Sequence, residues 1–170
     1  MAQRYKEEIT EEIPEVDAVL GTTSYGDIVK ALNEAEAGHV FREFKDINAL
    51  PEDSGRRVIT TGGHFGYLKI AEGCDKHCTY CIIPSLRGKF RSVPEERLLK
   101  QAEYMASQGV RELILVAQET TVYGTDLYGK KNLHILLKKL CQIKGIRWIS
   151  VLYCYPEEIY EELIQVKKVE

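Results

Sequence analysis

The stretch that decides the fold is Gly66-Tyr-Leu-Lys-Ile-Ala-Glu-Gly-Cys74-Asp-Lys-His-Cys78-Thr-Tyr-Cys81. Its first six residues, Gly66 to Ala71, read as a strand, and a cysteine-rich loop follows at once. Parallel α/β proteins keep their chemistry on such loops, beyond the carboxyl ends of strands. Downstream, Pro94 opens a helix that runs through Arg97, Leu98, Ala102 and Met105 to a stop at Gly109. Proline suits a first helical turn and glycine the end of a last one. Arg111 to Ala117 is continuously apolar after its charged start, as strands buried on both faces are. Leu133 to Ile143 reads as a second amphipathic helix closed by Gly145, and Ile146 to Tyr153 as a third strand. Pro156 precedes the start of another helix. Strand, loop and helix recur three times, which implies parallel strands joined by right-handed crossovers and an α/β fold.

Upstream of Gly66 the pattern is helix, strand, helix. Gln3 to Glu12 is charged and helix-forming, and Pro14 stops it. Asp17-Ala-Val-Leu20 reads as a short strand, and Gly21-Thr-Thr-Ser24 as a turn and N-cap. Tyr25 to Ala37 carries Ile28, Val29, Leu32 and Ala35 at helical spacing, and Gly38 ends it. This unit is too short to bury a core alone.

The chain has 170 residues, 44% hydrophobic and 29% charged, with a formal charge of −3. That composition is globular and excludes a wholly disordered chain. No apolar run approaches the ~20 residues of a membrane helix. The charged start, Met1-Ala-Gln-Arg-Tyr-Lys6, lacks the apolar core of a secretory signal. The expectation is a cytoplasmic protein with no membrane partner, whose five cysteines are free thiols or metal ligands rather than a disulfide framework.

The charge is unevenly spread. Residues 1–55 carry five bases against thirteen acids, a net of −8, and residues 56–170 carry eighteen against thirteen, a net of +5. The sign changes at Pro51-Glu-Asp-Ser-Gly-Arg-Arg57, where turn residues also cluster. The reading is a first unit over 1–52, a linker over 53–65 and a second unit over 66–170.

Cys74, Cys78 and Cys81 form the pattern C-x3-C-x2-C, three thiols within eight positions. Structural zinc normally takes four ligands in two separated pairs. Three soft thiolates on one short loop instead suit an iron–sulfur cluster with one iron open to an exchangeable ligand. Two other readings stand beside this one. The cysteines can be ordinary loop residues, or His77 can complete a zinc site in a non-enzymatic module. Cys141 and Cys154 read as small buried side chains on a helix and a strand end. His39, His64 and His134 have no partner motif.

With Tyr80 before the last cysteine, this loop resembles the radical SAM motif. In that superfamily the three cysteines hold a [4Fe–4S] cluster, and the open iron takes the amino and carboxylate groups of S-adenosylmethionine. Electron transfer then gives a 5′-deoxyadenosyl radical that abstracts hydrogen from the substrate. The protein's task is to position the cofactors. Cys81-Ile-Ile-Pro-Ser-Leu-Arg-Gly88, with Lys89, Arg91 and Arg97 after it, is similar to the methylthiotransferases of that superfamily. Ala117-Gln-Glu-Thr-Thr-Val-Tyr-Gly124-Thr-Asp-Leu-Tyr128 and Leu152-Tyr-Cys-Tyr-Pro-Glu-Glu158 resemble the RimO branch, which modifies an aspartate of a small-subunit ribosomal protein. So do Ala2-Gln-Arg-Tyr5 and Asp17-Ala-Val-Leu-Gly-Thr22. The alternative branch modifies tRNA adenosine, and the acidic total charge offers little to nucleic acid.

The resemblance implies the start of a partial (βα)6 radical SAM barrel, preceded by the end of an α/β methylthiotransferase N-terminal domain. It implies that Gln118 and Glu119 contact the amino group of S-adenosylmethionine, the other reading being that they cap the following turn, and that Tyr80 borders the adenine or shields the cluster from water. Arg87 and Arg91 can pair with the carboxylate of S-adenosylmethionine or with an acidic substrate loop, or form a solvated basic face. An electron donor such as flavodoxin or ferredoxin is implied as a partner. The family also carries a second, auxiliary [4Fe–4S] cluster on three further cysteines, whereas residues 2–73 here contain none. The chain thus resembles an internal fragment, and the expectation is that alone it does not insert sulfur. No residue is assigned as an acid, base or nucleophile.

Overall fold

The computed structural model describes residues 2–50 and 57–167. The turn cluster at Pro51–Gly55, on which the sequence boundary was placed, lies outside the described residues. Two compact units emerge, one comprising Met1–Ser54 with Asp75–Lys89, the other Gly55–Cys74 with Phe90–Glu170.

In the first unit, α1 (Lys6–Glu12) precedes β1 (Ala18–Leu20), α2 (Ile28–Glu36) and β2 (Phe41–Glu43). β1 and β2 pair in parallel, Ala18 opposite Phe41, with α2 as the crossover. β2 has no counterpart in the sequence reading, because Phe-Arg-Glu shows neither a run nor an alternation long enough to signal a strand. α2 starts at Ile28 rather than Tyr25, and the expected N-cap at Ser24 is corrected. The apolar stripe of α2 does not face a core: Ala31 is buried, whereas Ile28, Val29 and Leu32 are exposed. Ser24 caps no helix, because a 3-10 turn (Tyr25–Asp27) intervenes and no side chain caps it. The Ser24 hydroxyl instead accepts the Lys45 N–H at 3.0 Å. A short helix, α3 (Ile83–Arg87), also belongs to this unit.

The second unit is built on a parallel sheet of order β3-β6-β7, from β3 (Phe65–Lys69), β6 (Glu112–Val116) and β7 (Trp148–Val151). Phe65 lies opposite Glu112, and Glu112 opposite Trp148, so the three strands share one register from end to end. Between them run α4 (Glu95–Ser107), the single turn α5 (Thr125–Tyr128) and α6 (Leu133–Leu140). The strands and helices are slightly shorter than the sequence patterns. Gly109 (φ +96°) and Gly145 (φ +107°) take the left-handed conformation that closes α4 and the α6 turn. Leu68, Leu98, Met105, Leu113, Leu115, Leu133, Leu136 and Leu140 fill the core.

The first strand does not run on to Ala71 as expected. Ile70 keeps the ladder, its N–H donating to Val116 O at 2.9 Å. The chain then turns, and β4 (Ala71–Glu72) pairs antiparallel with β5 (Arg91–Ser92), closing the base of the cysteine loop. β7 starts at Trp148, which is exposed; its indole N–H donates to the Ser150 hydroxyl at 3.2 Å, and that hydroxyl donates to Glu112 at 2.7 Å. After β7 come a 3-10 turn (Pro156–Glu158) and α7 (Glu161–Lys167), seated by buried Leu163. No helix among the described residues is long and apolar enough to cross a membrane.

Candidate functional site

In the second unit, Cys74 lies beyond the carboxyl end of β3, and Gln118 and Glu119 lie beyond that of β6. Cys74 is buried and follows Gly73, whose φ of +74° turns the chain out of β4. Glu72, beside it, is also buried and forms an ion pair with Lys69.

At the end of β6, Gln118 keeps a buried side-chain oxygen with no hydrogen-bond partner. A buried acceptor left in this state costs about 1–3 kcal/mol, so it is a place where a donor is wanted. Glu119 is 3% exposed and engaged differently. Its Oε1 accepts the Thr121 N–H at 3.0 Å, the Thr121 hydroxyl and, more weakly, the Tyr155 N–H at 3.5 Å. Its neighbour Thr120, fully buried, donates its hydroxyl to Leu152 O at 2.8 Å and its N–H to Tyr153 O at 3.2 Å. Tyr153 sits at φ +59°, the one non-glycine residue with positive φ among the described residues. Such a conformation costs of order 1 kcal/mol and persists where neighbours over-determine it. The Gln-Glu-Thr-Thr run therefore ties the end of β6 to the end of β7.

Tyr123, Ser92 and Asp126 brace this corner and were not singled out in the sequence. The Tyr123 hydroxyl donates to Val93 O at 2.9 Å, and burial pushes its phenol well above the ordinary range. Ser92 donates its N–H to Asp126 at 2.8 Å and accepts the Gly124 N–H at 2.8 Å. Gly124 lies at φ +88°, and an added Cβ would stand 2.5 Å from Asn132 Cβ, so both conformation and space demand glycine. The signal in the sequence was the Tyr-Gly pair, which marks a turn but not its partners.

In the first unit, Cys78 and Cys81 share a turn, the Cys81 N–H donating to Cys78 O at 2.9 Å. Tyr80 in that turn is 90% exposed. His77 is exposed. Arg87 closes α3, and Arg91 lies in β5 of the second unit. All five cysteines are free thiols. The expectation for Cys141 is corrected: it is exposed, because it follows the last turn of α6, and Cys154 is half-buried, its sulfur 3.5 Å from the Thr120 hydroxyl.

Among the described residues, no three His, Cys, Asp or Glu side chains are gathered closely enough to hold a metal ion. Thiolate ligands repel one another and gather around the metal that neutralises them, so a metal-free loop need not hold the arrangement. The donor set itself fits an iron–sulfur cluster, being three free, soft thiols on one short loop with two already sharing a turn. The orphaned acceptor of Gln118 fits an ammonium group of the kind S-adenosylmethionine carries.

A parallel sheet whose first strand leads in sequence into three closely spaced cysteines, with polar side chains at its strand ends, suits a cofactor-dependent enzyme. The model of the radical SAM superfamily matches residues 68–169, and the chain belongs to that superfamily. It is 61% identical over 170 residues to a ribosomal protein uS12 methylthiotransferase RimO of Lachnoclostridium phytofermentans, covering 100% of this chain and 39% of that protein. It is 52% identical over 167 residues to a protein of the same name from Clostridium botulinum, covering 97% and 37%. The chain thus spans about two fifths of the length of the curated relatives it matches. Among solved structures it is similar to the radical S-adenosylmethionine methyltransferase TsrM of Kitasatospora setae. That match has 19% identity and a TM-score of 0.47, over 61% of this chain and 20% of that one.

Proposed function

We propose that this chain is the part of a RimO-type methylthiotransferase that generates the radical, acting on an aspartate of a small-subunit ribosomal protein. What carries the reading is the C-x3-C-x2-C spacing of Cys74, Cys78 and Cys81, all free thiols, in a member of the radical SAM superfamily. These three residues are the ligands of one [4Fe–4S] cluster. When bound, the cluster and S-adenosylmethionine supply reductive bond cleavage and hydrogen abstraction, driven by an electron donor such as flavodoxin or ferredoxin.

The chain's own residues bind and orient. Gln118 accepts a hydrogen bond from the cofactor's ammonium group. Glu119, held by Thr121 and Tyr155, adds negative charge beside it in a water-poor setting where charge counts for more. Arg87 and Arg91 supply guanidinium groups for a carboxylate, of the cofactor or of an acidic substrate loop. Tyr80, in the turn between the last two ligands, offers a ring face to the adenine. The chain is organised as residues 1–52 from an N-terminal methylthiotransferase domain, a linker over 53–65 and barrel residues from 66 onward.

Anaerobic reconstitution with iron and sulfide tests the site. About four irons per chain are expected, with broad visible absorption, and Cys78→Ala removes that iron. One zinc and no iron would overturn the reading in favour of a zinc module with His77. The substrate is tested with a chimaera in which this chain replaces the matching part of the Lachnoclostridium phytofermentans relative. With S-adenosylmethionine and reductant, a methylthio group should appear on the ribosomal protein; its appearance on tRNA alone would favour the other branch.

A further inference from the structure

The cysteine loop continues into α3, and the first unit holds that helix by its carboxyl end. The last carbonyls of a helix lack partners within it. Here the Thr22 hydroxyl donates to Leu86 O at 2.9 Å, across 64 residues of chain. One turn on, the Lys89 N–H donates to the Asn48 side-chain oxygen at 3.0 Å. Between them the Gly88 N–H returns to Pro84 O at 2.9 Å, with Gly88 at φ +74°. The helix is thus closed by two side chains from elsewhere in the sequence and one of its own turns.

Thr22 is itself fixed. Its N–H donates to Gln3 Oε1 at 3.0 Å. The preceding Gly21 donates its N–H to Glu43 O at 2.8 Å, and a Cβ on it would stand 2.5 Å from the Gln3 oxygen. The next two residues are pinned as well, Thr23 by Asp46 O at 3.1 Å and Ser24 by the Lys45 N–H at 3.0 Å. The Gly21–Ser24 turn is therefore a rigid mount at the carboxyl end of β1, and the one side chain it aims at α3 is Thr22.

α3 begins two residues after Cys81, and Cys81 shares a turn with Cys78. Fixing the far end of a five-residue helix restricts where its near end can place the preceding turn. We propose that Thr22, supported by Asn48, is a positioning residue for Cys78 and Cys81. Metal-site residues are held in productive geometry by hydrogen-bonded partners outside the ligand set, and losing such a partner weakens metal retention without removing a ligand. The proposal rests on the assignment of these two cysteines as cluster ligands.

The test uses the 170-residue chain, reconstituted anaerobically, as wild type, Thr22→Val, Thr22→Ser and Asn48→Ala. Valine keeps the shape and loses the donor, and serine restores it. Thr22→Val should release iron to a chelator roughly threefold to tenfold faster, the range expected from one hydrogen bond. It should also alter the electron paramagnetic resonance spectrum of the reduced cluster, while Thr22→Ser behaves as wild type. Asn48→Ala should shift both readouts in the same direction by less, and amide exchange at Lys89 should accelerate in the metal-free chain. Thr22→Val and Asn48→Ala proteins with wild-type circular dichroism, iron release and spectrum would overturn the positioning role alone. A wild-type chain that takes up no iron would instead overturn the ligand assignment on which it rests.

Discussion

The two units reach stability by different means. In the second, a parallel sheet and its helices bury leucines on strands and helices alike, from Leu68 and Leu98 to Leu136 and Leu163. In the first, the buried apolar side chains among the described residues are Val19 and Ala31, while Ile28, Val29 and Leu32 of α2 stand in solvent. What the first unit has in place of a core is a dense set of polar contacts around one turn, from Gln3, Lys45 and Asp46 to Thr22, Thr23 and Ser24. Apolar burial contributes roughly 1.5–3 kcal/mol per large side chain, and a hydrogen bond a net 0.5–1.5. The second unit therefore sets the cooperative unfolding transition. The first opens locally at lower cost, where a small number of directed bonds decide geometry rather than bulk stability.

That contrast can be broken by substitution. The largest effect is expected at Leu113, fully buried in β6, the central strand of the sheet. Leu113→Ala should cost about 2–5 kcal/mol in urea unfolding, and a cost under about 1 would mean that the sheet is not the stabilising centre. Next is Tyr123→Phe, which removes the bond to Val93 and should cost about 1 kcal/mol. Because burial holds that phenol protonated, Tyr123 should resist titration until alkaline unfolding. Its contribution is complete below the ordinary tyrosine value and is lost as pH rises beyond it.

Smaller still is the effect of His134. Its Nδ1 lies 3.0 Å from the Tyr160 hydroxyl, which also accepts the His134 backbone N–H at 3.2 Å. That hydroxyl can then donate to Nδ1 only while the ring is neutral, and desolvation lowers the histidine's affinity for a proton. The unfolded chain binds the proton more readily, so stability should be complete above about pH 6.5 and decline as pH falls below it. His134→Gln should flatten that slope in denaturant midpoints measured between about pH 7 and 5. The smallest effect belongs to α2: Leu32→Ala should change stability by less than about 0.5 kcal/mol. A cost comparable with that at Leu113 would erase the distinction between the units.

Much of the second unit was legible because its signals are local and agree with one another. Pro94 and Gly109 bracket α4, and the apolar run of β6 has no competing period. The superfamily was legible in the cysteine spacing for a similar reason, since a motif restricts residue type and separation together. Long-range partners were not. Ser24 has the side chain of a helix cap, but Lys45, twenty-one residues on, takes its oxygen. Nothing in a tyrosine announces positive φ, and Tyr153 adopts it because Thr120 holds its carbonyl. The stripe on α2 has the right period and faces solvent, because amphipathic spacing states which residues share a face and not what that face meets.

Trp148 gives the molecule a built-in observer. It is the sole tryptophan, and it stands at the first residue of β7 with its ring largely in solvent and its N–H on Ser150. Its emission is thus tied to the sheet of the second unit. A fluorescence melt follows that sheet, whereas far-ultraviolet dichroism also sums α1, α2 and α3. Divergence between the two curves would be the optical signature of one polypeptide coming apart in two stages.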